Sequence, residues 1–187
     1  MKRVLITALL TVLFSIVAFA QEKSNDVMMR QIVTLKAEKT MTLSYDQGSN
    51  VSKLMAVAEN VSSAEADRAG VRAMNFAVGA IYSGRAVKSS PDSFLLTFWV
   101  LSSKPRFGAD HSLVVTAGQE LIDLGLARYV ARSRDNMEYL NFNMTRDQMK
   151  KIAERSNVSF LLGGREFSFT RGQLKIFADL ILVTEVN

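Results

Sequence analysis

The sequence predicts a mainly β fold of the α+β type, an antiparallel β-sandwich-like domain with two short amphipathic helices near the C-terminus. Three observations support this prediction. Short apolar or alternating segments recur along residues 40–169, and turn-forming residues separate them. Helical spacing of apolar residues is clear only after Thr145 and after Thr170. Most of the predicted strands follow one another through short turns, which favours antiparallel pairing.

The first 20 residues have the pattern of a secretory signal peptide. Lys2 and Arg3 precede residues 4–20, which are uncharged and mostly apolar, and Ala18-Phe19-Ala20 provides the small residues of a cleavage site. This apolar segment is shorter than the ~20 residues that a membrane-spanning helix needs. We therefore expect an exported protein that is cleaved before Gln21. Residues 21–187 would form a single β-rich domain with no transmembrane segment.

Composition restricts the cellular setting. The chain contains no cysteine, and small secreted eukaryotic domains often depend on disulfides, so we expect a bacterial periplasmic or secreted protein. The net charge of +5 falls to about +3 when Lys2 and Arg3 are removed. A nucleic-acid-binding domain usually concentrates a larger basic excess on one face, so nucleic acid is an unlikely partner.

The N-terminal half of the predicted domain contains four strands. Residues 21–40 are ambiguous, because Met28, Ile32 and Leu35 suit a helix face whereas residues 32–35 also suit a strand. A polar break at residues 62–70 has room for one helical turn. The predicted strands cover residues 40–45, 51–57, 71–82 and 94–101. The last of these is apolar throughout, which is typical of a central strand.

The C-terminal half consists of three predicted hairpins and two helices. Gly163-Gly164 is a strong two-residue turn signal, because glycine adopts positive φ without steric cost. Thr145 with Gln148, and Thr170 with Gln173, have the spacing of capping boxes and predict helices near 145–155 and 171–183. The strands of the hairpins cover residues 113–116 with 120–124, 127–132 with 138–143, and 158–162 with 165–169.

Residues 113–182 resemble the C-terminal part of exported bacterial proteins of unknown function. The likeness is one of pattern: two hairpins, a short helix, and then the segment FLLGGREFSFTRGQLKIFADL, in which a glycine-turn hairpin leads to a closing amphipathic helix. The resemblance implies a β-sandwich. It implies no activity, and no functional residue follows from it.

The residues that enzymes use most often are scarce. The chain has no cysteine, and His111 is its one histidine. A cysteine nucleophile is therefore excluded, as is a zinc site built from two imidazoles or thiolates. The motifs Gly-x-Ser-x-Gly and Ser-x-x-Lys and the phosphate-binding loops are also missing. We expect no catalytic residue, no metal and no cofactor. His111, beside Asp110, is expected to be a solvent-exposed loop residue.

Carboxylates leave one enzymatic alternative open. A glycosidase needs only two of them, and the chain has 18 Asp and Glu residues without a pattern that selects a pair. Two loop pairs, Glu65 with Asp67 and Asp135 with Glu138, offer oxygen ligands for Ca²⁺ but fewer than an EF-hand provides. The alternative to a binding module is therefore a carboxylate-dependent hydrolase that acts on envelope glycans.

Two groups of side chains remain as candidate binding residues. Arg128, Arg132 and Arg134 share the parity of one predicted strand and its turn, so they would project from the same face and suit a carboxylate, sulfate or phosphate group. Phe94, Phe98 and Trp99 are able to stack on sugar rings, although core packing accounts better for aromatic residues in so apolar a strand.

Together these observations predict an exported, non-enzymatic binding or interaction module. Its partner would be a protein or an anionic cell-envelope component, recognised by Arg128, Arg132 and Arg134. The absence of the common catalytic motifs favours this prediction over the glycan hydrolase. A third possibility is a structural subunit of an assembly, held by pairing of strand edges.

Overall fold

The computed structural model describes residues 41–61, 66–67, 70–85, 87 and 90–185, and this part of the chain is built mainly of antiparallel strands. The predicted signal peptide, residues 1–20, and the ambiguous segment 21–40 lie outside the described residues, as does most of the break at 62–70. The strands are β1 Met41–Asp46, β2 Val51–Asn60, β3 Ala73–Ser83, β4 Ser93–Leu101, β5 Ser112–Ala117, β6 Glu120–Leu126, β7 Arg128–Arg132, β8 Met137–Met144, β9 Val158–Leu162 and β10 Arg165–Ser168. The helices are α1 Arg146–Ala153 and α2 Arg171–Thr184.

Two antiparallel sheets form the predicted sandwich. The larger sheet has the strand order β1-β2-β3-β4-β8-β7, and the smaller has the order β10-β9-β5-β6. The chain alternates between them, since the β5–β6 and β9–β10 hairpins belong to the small sheet and the β7–β8 hairpin belongs to the large one. Strand β4 pairs with β3 on one side and β8 on the other, which is the interior position that its apolar sequence predicts.

The core lies between the inner faces of the two sheets. On β3, every second side chain from Met74 to Tyr82 is fully buried, as the period-two pattern predicts. Phe98 of the large sheet meets Phe160 of the small sheet, with ring centroids 5.1 Å apart. Phe169 packs against Phe160 at 4.5 Å and against Phe76 at 4.6 Å. Aromatic contacts therefore connect the two layers.

The two faces of strand β4 have different surroundings. Phe94 and Phe98 are fully buried in the core, as expected. Trp99 is partly buried on the opposite face, where its neighbours across the sheet are Asn75 of β3 and Tyr139 of β8. The prediction of core packing is therefore wrong for Trp99. Successive side chains of a strand point to opposite faces, so Phe98 and Trp99 cannot both face the core.

The two helices begin at the predicted capping boxes. The Thr145 hydroxyl accepts a hydrogen bond from the Gln148 amide at 3.2 Å, and the Gln148 side chain accepts one from the Thr145 amide at 2.9 Å. Thr170 and Gln173 repeat this arrangement. Helix α2 closes the core beside β2 and β3, and its buried apolar residues are Leu174, Phe177, Leu180, Ile181 and Val183.

The helical spacing of Leu174, Phe177, Ala178, Ile181 and Leu182 predicts the apolar face of α2, and one of these residues lies outside the core. Leu182 is 52% exposed, whereas Leu180 and Val183 are buried. The helix therefore turns a somewhat different face to the sheets than the spacing of Leu174, Phe177 and Leu182 predicts. Among the described residues, no helix is long and apolar enough to cross a membrane.

The connection between β6 and β7 is a single residue, Ala127, which is buried. Its amide donates to the carbonyl of His111 at 3.0 Å, at the start of β5. Because β6 belongs to the small sheet and β7 to the large one, the chain passes from one layer to the other at this point. This corner fixes which side chains of β7 face outward.

Candidate functional site

Strand β7 is an edge of the large sheet in the described part of the chain, and its outer face bears two of the three predicted arginines. Arg128 lies opposite Asn141 and Arg132 lies opposite Met137, on the face that points away from the core. Val130, between them, is 45% exposed. Arg134 lies in the exposed turn that follows β7. We call Arg128, Val130, Arg132 and Arg134 the arginine face.

The period of the strand sets the spacing of these charges. Two residues four positions apart on a strand are about 13 Å apart at ~3.3 Å per residue. Arg128 and Arg132 have this separation on one strand, whereas Arg134 belongs to the turn and is not bound to the parity of the strand. The structure thus places two guanidinium groups on a common face and a third beside its end.

Tyr139 of the neighbouring strand β8 supports one of the arginines. The guanidinium carbon of Arg132 lies 5.0 Å from the centre of the Tyr139 ring. A stacked guanidinium keeps the N–H groups at its edge available to a carboxylate, sulfate or phosphate group. Stacking also restricts the side chain before any ligand arrives, which lowers the entropy cost of binding.

The arginines of this face have no acidic partner among the described residues. Arg128, Arg132 and Arg134 are exposed, and the ion pairs within 4 Å in that part of the chain involve other residues. Asp135, in the same turn as Arg134, is the adjacent acidic residue in the sequence. The arginine face therefore has a local positive charge that the described carboxylates do not neutralise.

The outer face of the large sheet is exposed at β7 and more buried toward the centre of the sheet. Further along the same face, Thr97 is 6% exposed and Ala77 is fully buried. The Thr97 hydroxyl donates to the Asn141 side chain at 2.8 Å, and the Asn141 amide donates to the carbonyl of Arg128 at 3.4 Å. These hydrogen bonds connect the edge strand to the centre of the sheet and hold the arginine face in place.

A buried carboxylate, Glu138, lies on the opposite side of the same hairpin. Glu138 faces inward from β8 and is only 1% exposed. It accepts hydrogen bonds from the backbone amides of Arg106 and Phe107, each at 2.9 Å, and from the Tyr129 hydroxyl at 2.9 Å. The carboxylate therefore holds the 102–107 loop against the hairpin. It pairs with none of the three arginines.

Tyr129 and His111 pack around this carboxylate. Burial, the hydrogen bond to Glu138 and the charge of Glu138 together raise the pKa of Tyr129 to about 12. The ring of His111 stacks on that of Tyr129 with centroids 5.5 Å apart, so the histidine is partly buried and the expectation of a solvent-exposed residue is wrong. The Ser112 hydroxyl donates to Asp110, at 2.7 Å, which is not the Ser–His pair that nucleophilic catalysis needs.

A cleft of about 150 Å³ opens at the end of the sandwich beside this cluster. Its walls are the 103–105 loop, which contains Lys104, and the neighbouring ends of β7 and β8. Its lining includes Arg132 and Met137 of the outer face as well as Ala131 and Glu138, so the cleft lies at the end of the sheet and borders the arginine face at Arg132.

The carboxylate pairs expected from the sequence do not form a site in the described residues. Asp135 is exposed in the turn, whereas Glu138 is buried, so the two do not form a joint Ca²⁺ site. Glu65, the partner of Asp67, lies outside the described residues. No group of three His, Cys, Asp or Glu side chains suited to a metal ion occurs in the part of the chain that the structure describes.

The role of Glu138 is the main feature that the sequence prediction missed. Its parity on β8 is shared with Leu140, Phe142 and Met144, all of which are buried. A glutamate in the apolar phase of a strand indicates a carboxylate that faces the core and must find donors there. That signal was available in the sequence, although the donors, two amides of a loop about 30 residues earlier, were not.

Comparisons with known proteins do not extend the assignment: no protein-family model, curated protein or solved structure matches this chain significantly. The geometry of the arginine face and of the Glu138 cluster is therefore the basis for a functional proposal.

Proposed function

We propose that this protein is an exported, non-enzymatic binding module whose arginine face recognises an anionic partner outside the cytoplasm. The observation that supports the proposal most directly is the placement of Arg128 and Arg132 on the exposed face of an edge strand, with no described carboxylate within 4 Å. Guanidinium groups in this arrangement suit carboxylate, sulfate or phosphate oxygens.

The strand that bears the arginine face is held in the sheet, which suits it to recognition. Arg128 and Arg132 belong to a strand paired along its length with β8, and Arg132 stacks on Tyr139. Charges presented on a rigid sheet bind an anionic surface without a large cost of ordering the backbone. The exposed Val130 adds apolar contact area between the two charges.

The hydrolase alternative has less support. Glu138 is the carboxylate with the most unusual surroundings, but it is buried and its oxygens accept hydrogen bonds from two backbone amides and the Tyr129 hydroxyl. A general acid or a nucleophile has to reach its substrate. The environment of Glu138 is that of a residue that holds a loop in place.

The test is replacement of Arg128, Arg132 and Arg134 together by glutamine. We expect the native protein to associate with an extracytoplasmic fraction in a manner that weakens with added salt, because exposed charges are screened within ~8 Å at physiological ionic strength. The triple variant should lose this association. Its unfolding free energy should change by less than about 1 kcal/mol, because the substitutions are at exposed positions.

The matched control is a variant in which Arg85, Arg155 and Arg171, which are also exposed, are changed to glutamine. It has the same net charge as the first variant, so it separates the arginine face from the total charge of the protein. The measurements are retention in the fraction and melting temperature. Equal retention of the wild type and the Arg128, Arg132 and Arg134 variant would contradict the proposal.

A further inference from the structure

We infer that the partner of the arginine face is a protein segment that binds as an additional strand along β7, with acidic side chains at alternate positions of its own. This inference rests on the proposed function and specifies the chemistry of the partner. It combines two features of the same five residues: the edge of a sheet that pairs with no second described strand, and positive charges that no described carboxylate neutralises. Each feature selects a different property of the ligand.

The first feature is the backbone of β7. The strand pairs with β8 on one side, and no other described strand lies on its second side. No backbone hydrogen bond from elsewhere in the described chain reaches it. An edge strand presents unpaired N–H and C=O groups, and an extended peptide binds to such an edge by continuing the sheet.

The second feature distinguishes β7 from the other three edge strands of the described sheets. The charged residue of β1 is Asp46, β6 contains Glu120 and Asp123, and β10 contains Arg165 and Glu166. Only β7 has charged residues of a single, positive sign, Arg128 and Arg132. Opposite charges directly across a strand pair stabilise it, and like charges destabilise it. The edge of β7 therefore favours an acidic strand.

The register of the partner follows from the period of two. Its side chains on the outer face would lie opposite Arg128, Val130 and Arg132 in turn. The matching sequence has an acidic residue, an apolar residue two positions later and a second acidic residue after two more. The turn with Arg134 lies just beyond, where it adds positive charge near the end of the docked strand.

A second copy of this chain is a poorer occupant of the edge. Antiparallel pairing of β7 with another β7 places Arg128 opposite Arg132, and the like charges repel. Pairing with the acidic edge β6 of another copy competes with an existing contact, because Glu120 forms an ion pair with Lys151 of its own chain. The charges of β7 thus disfavour its pairing with the same strand of another copy, and we take a separate acidic segment as the occupant of the edge.

The experiment measures binding of the purified protein to a synthetic peptide, fluorescein-Thr-Glu-Thr-Val-Thr-Glu-Thr-amide. Fluorescence anisotropy of a labelled peptide gives the affinity at increasing salt concentrations. We expect binding to weaken as the salt concentration rises. It should be lost when Arg128 and Arg132 are both changed to glutamine, and it should be unchanged when Arg155 and Arg171 are both changed to glutamine. A peptide with lysine in place of each glutamate should not bind.

Backbone methylation of the peptide separates strand addition from charge attraction alone. The N–H groups of alternate residues in a strand point to the same edge, so one methylated peptide carries the methyl groups on Glu, Val and Glu and another carries them on the intervening threonines. Only one of the two sets faces β7. We expect one peptide to lose about tenfold or more in affinity and the other to bind like the parent.

The remaining outcomes each overturn the inference in a different way. Equal affinity of both methylated peptides and the parent would rule out strand addition while leaving charge recognition by the arginine face intact. Absence of peptide binding, with arginine-dependent retention in the extracytoplasmic fraction, would indicate a polyanion other than a peptide strand. A concentration-dependent dimer in sedimentation, abolished by the arginine substitutions, would identify a second copy as the occupant.

Discussion

At the residue scale, Glu138 connects parts of the chain that are distant in sequence. Its carboxylate accepts the amides of Arg106 and Phe107 and the hydroxyl of Tyr129 while being nearly inaccessible to solvent. A buried carboxyl group is tolerated in a core only when hydrogen-bond donors replace the water that it loses. This arrangement fixes the 102–107 loop relative to the hairpin that bears the arginine face.

Replacing Glu138 by glutamine should therefore lower the stability strongly. The NH₂ group of the glutamine would replace one acceptor oxygen and face a backbone N–H donor, so that donor would lose its hydrogen bond. We expect a loss of about 2–3 kcal/mol in the unfolding free energy. The exposed Glu166 provides the matched control, and its change to glutamine should cost less than about 0.5 kcal/mol. Urea unfolding followed by circular dichroism measures both. Similar midpoints for the two variants would show that the Glu138 hydrogen bonds contribute little.

The sequence predicted individual residues well where the period of a strand decides their environment. Every second residue of β3 from Met74 to Tyr82 faces the core, and Arg128 and Arg132 share a face, because both results depend only on parity. Residue type and local context predict a core position for Trp99 and an exposed position for His111, and both predictions are wrong. Their surroundings depend on residues of other strands, Tyr139 for Trp99 and Tyr129 for His111.

At the scale of elements, the Gly163-Gly164 turn shows how a local signal gains tertiary importance. Both residues have positive φ, +52° and +72°, as the hairpin prediction requires. A Cβ atom on Gly163 would lie 2.5 Å from the carbonyl oxygen of Asp110 and 2.9 Å from the Phe107 ring, whereas one on Gly164 would meet nothing within 4 Å. The first glycine is thus required by packing as well as by the turn.

We expect Gly163→Ala to be more destabilising than Gly164→Ala. Both variants strain the backbone at positive φ, which costs about 1–2 kcal/mol. Gly163→Ala also forces the neighbouring loop to move, which adds about 1–3 kcal/mol. Chemical denaturation of the two variants side by side provides the comparison. If Gly164→Ala destabilises the protein as much as Gly163→Ala does, the close approach of Gly163 to Asp110 does not contribute to the loss of stability.

The elements themselves were largely predictable because their signals are local. Capping boxes, glycine turns and alternating apolar residues located the strands of the described region and both helices. The order of the strands was not predictable. The pairing of β4 with β8 joins Trp99 to Tyr139 across a segment that contains a complete hairpin of the other sheet, and no local pattern specifies such a partner.

At the scale of the whole molecule, two tyrosines make the stability of the fold depend on pH in the alkaline range. The pKa of Tyr129 is about 12, and burial of Tyr82 raises its pKa as well, whereas an unfolded tyrosine has a value of 10.0. Below pH 10 both residues are neutral in either state, so the stability that depends on them is fully present. As the pH rises above 10 the unfolded chain ionises first, and stability is lost until the folded residues also ionise.

The urea midpoint should accordingly fall between pH 9 and pH 11.5, and fall less steeply in a Tyr129→Phe variant. The variant removes one of the two contributions, so its pH dependence should be reduced and not abolished. At pH 7 it should be somewhat less stable than the wild type, because Glu138 loses a donor. Identical slopes for the two proteins would show that Tyr129 ionises as readily in the folded state as in the unfolded chain.

The one-residue connection at Ala127 has a consequence for how this protein tolerates changes in length. With β6 and β7 joined by a single buried residue, an insertion or deletion of one residue there shifts β7 by half a period. Arg128 and Arg132 would then point toward the core, and Tyr129 would leave Glu138. Length variation can enter instead at the exposed turn of residues 133–136, beyond β7. Substitutions are therefore able to change the charges on the β7 edge. The length of the connection before β7 fixes which face those charges occupy.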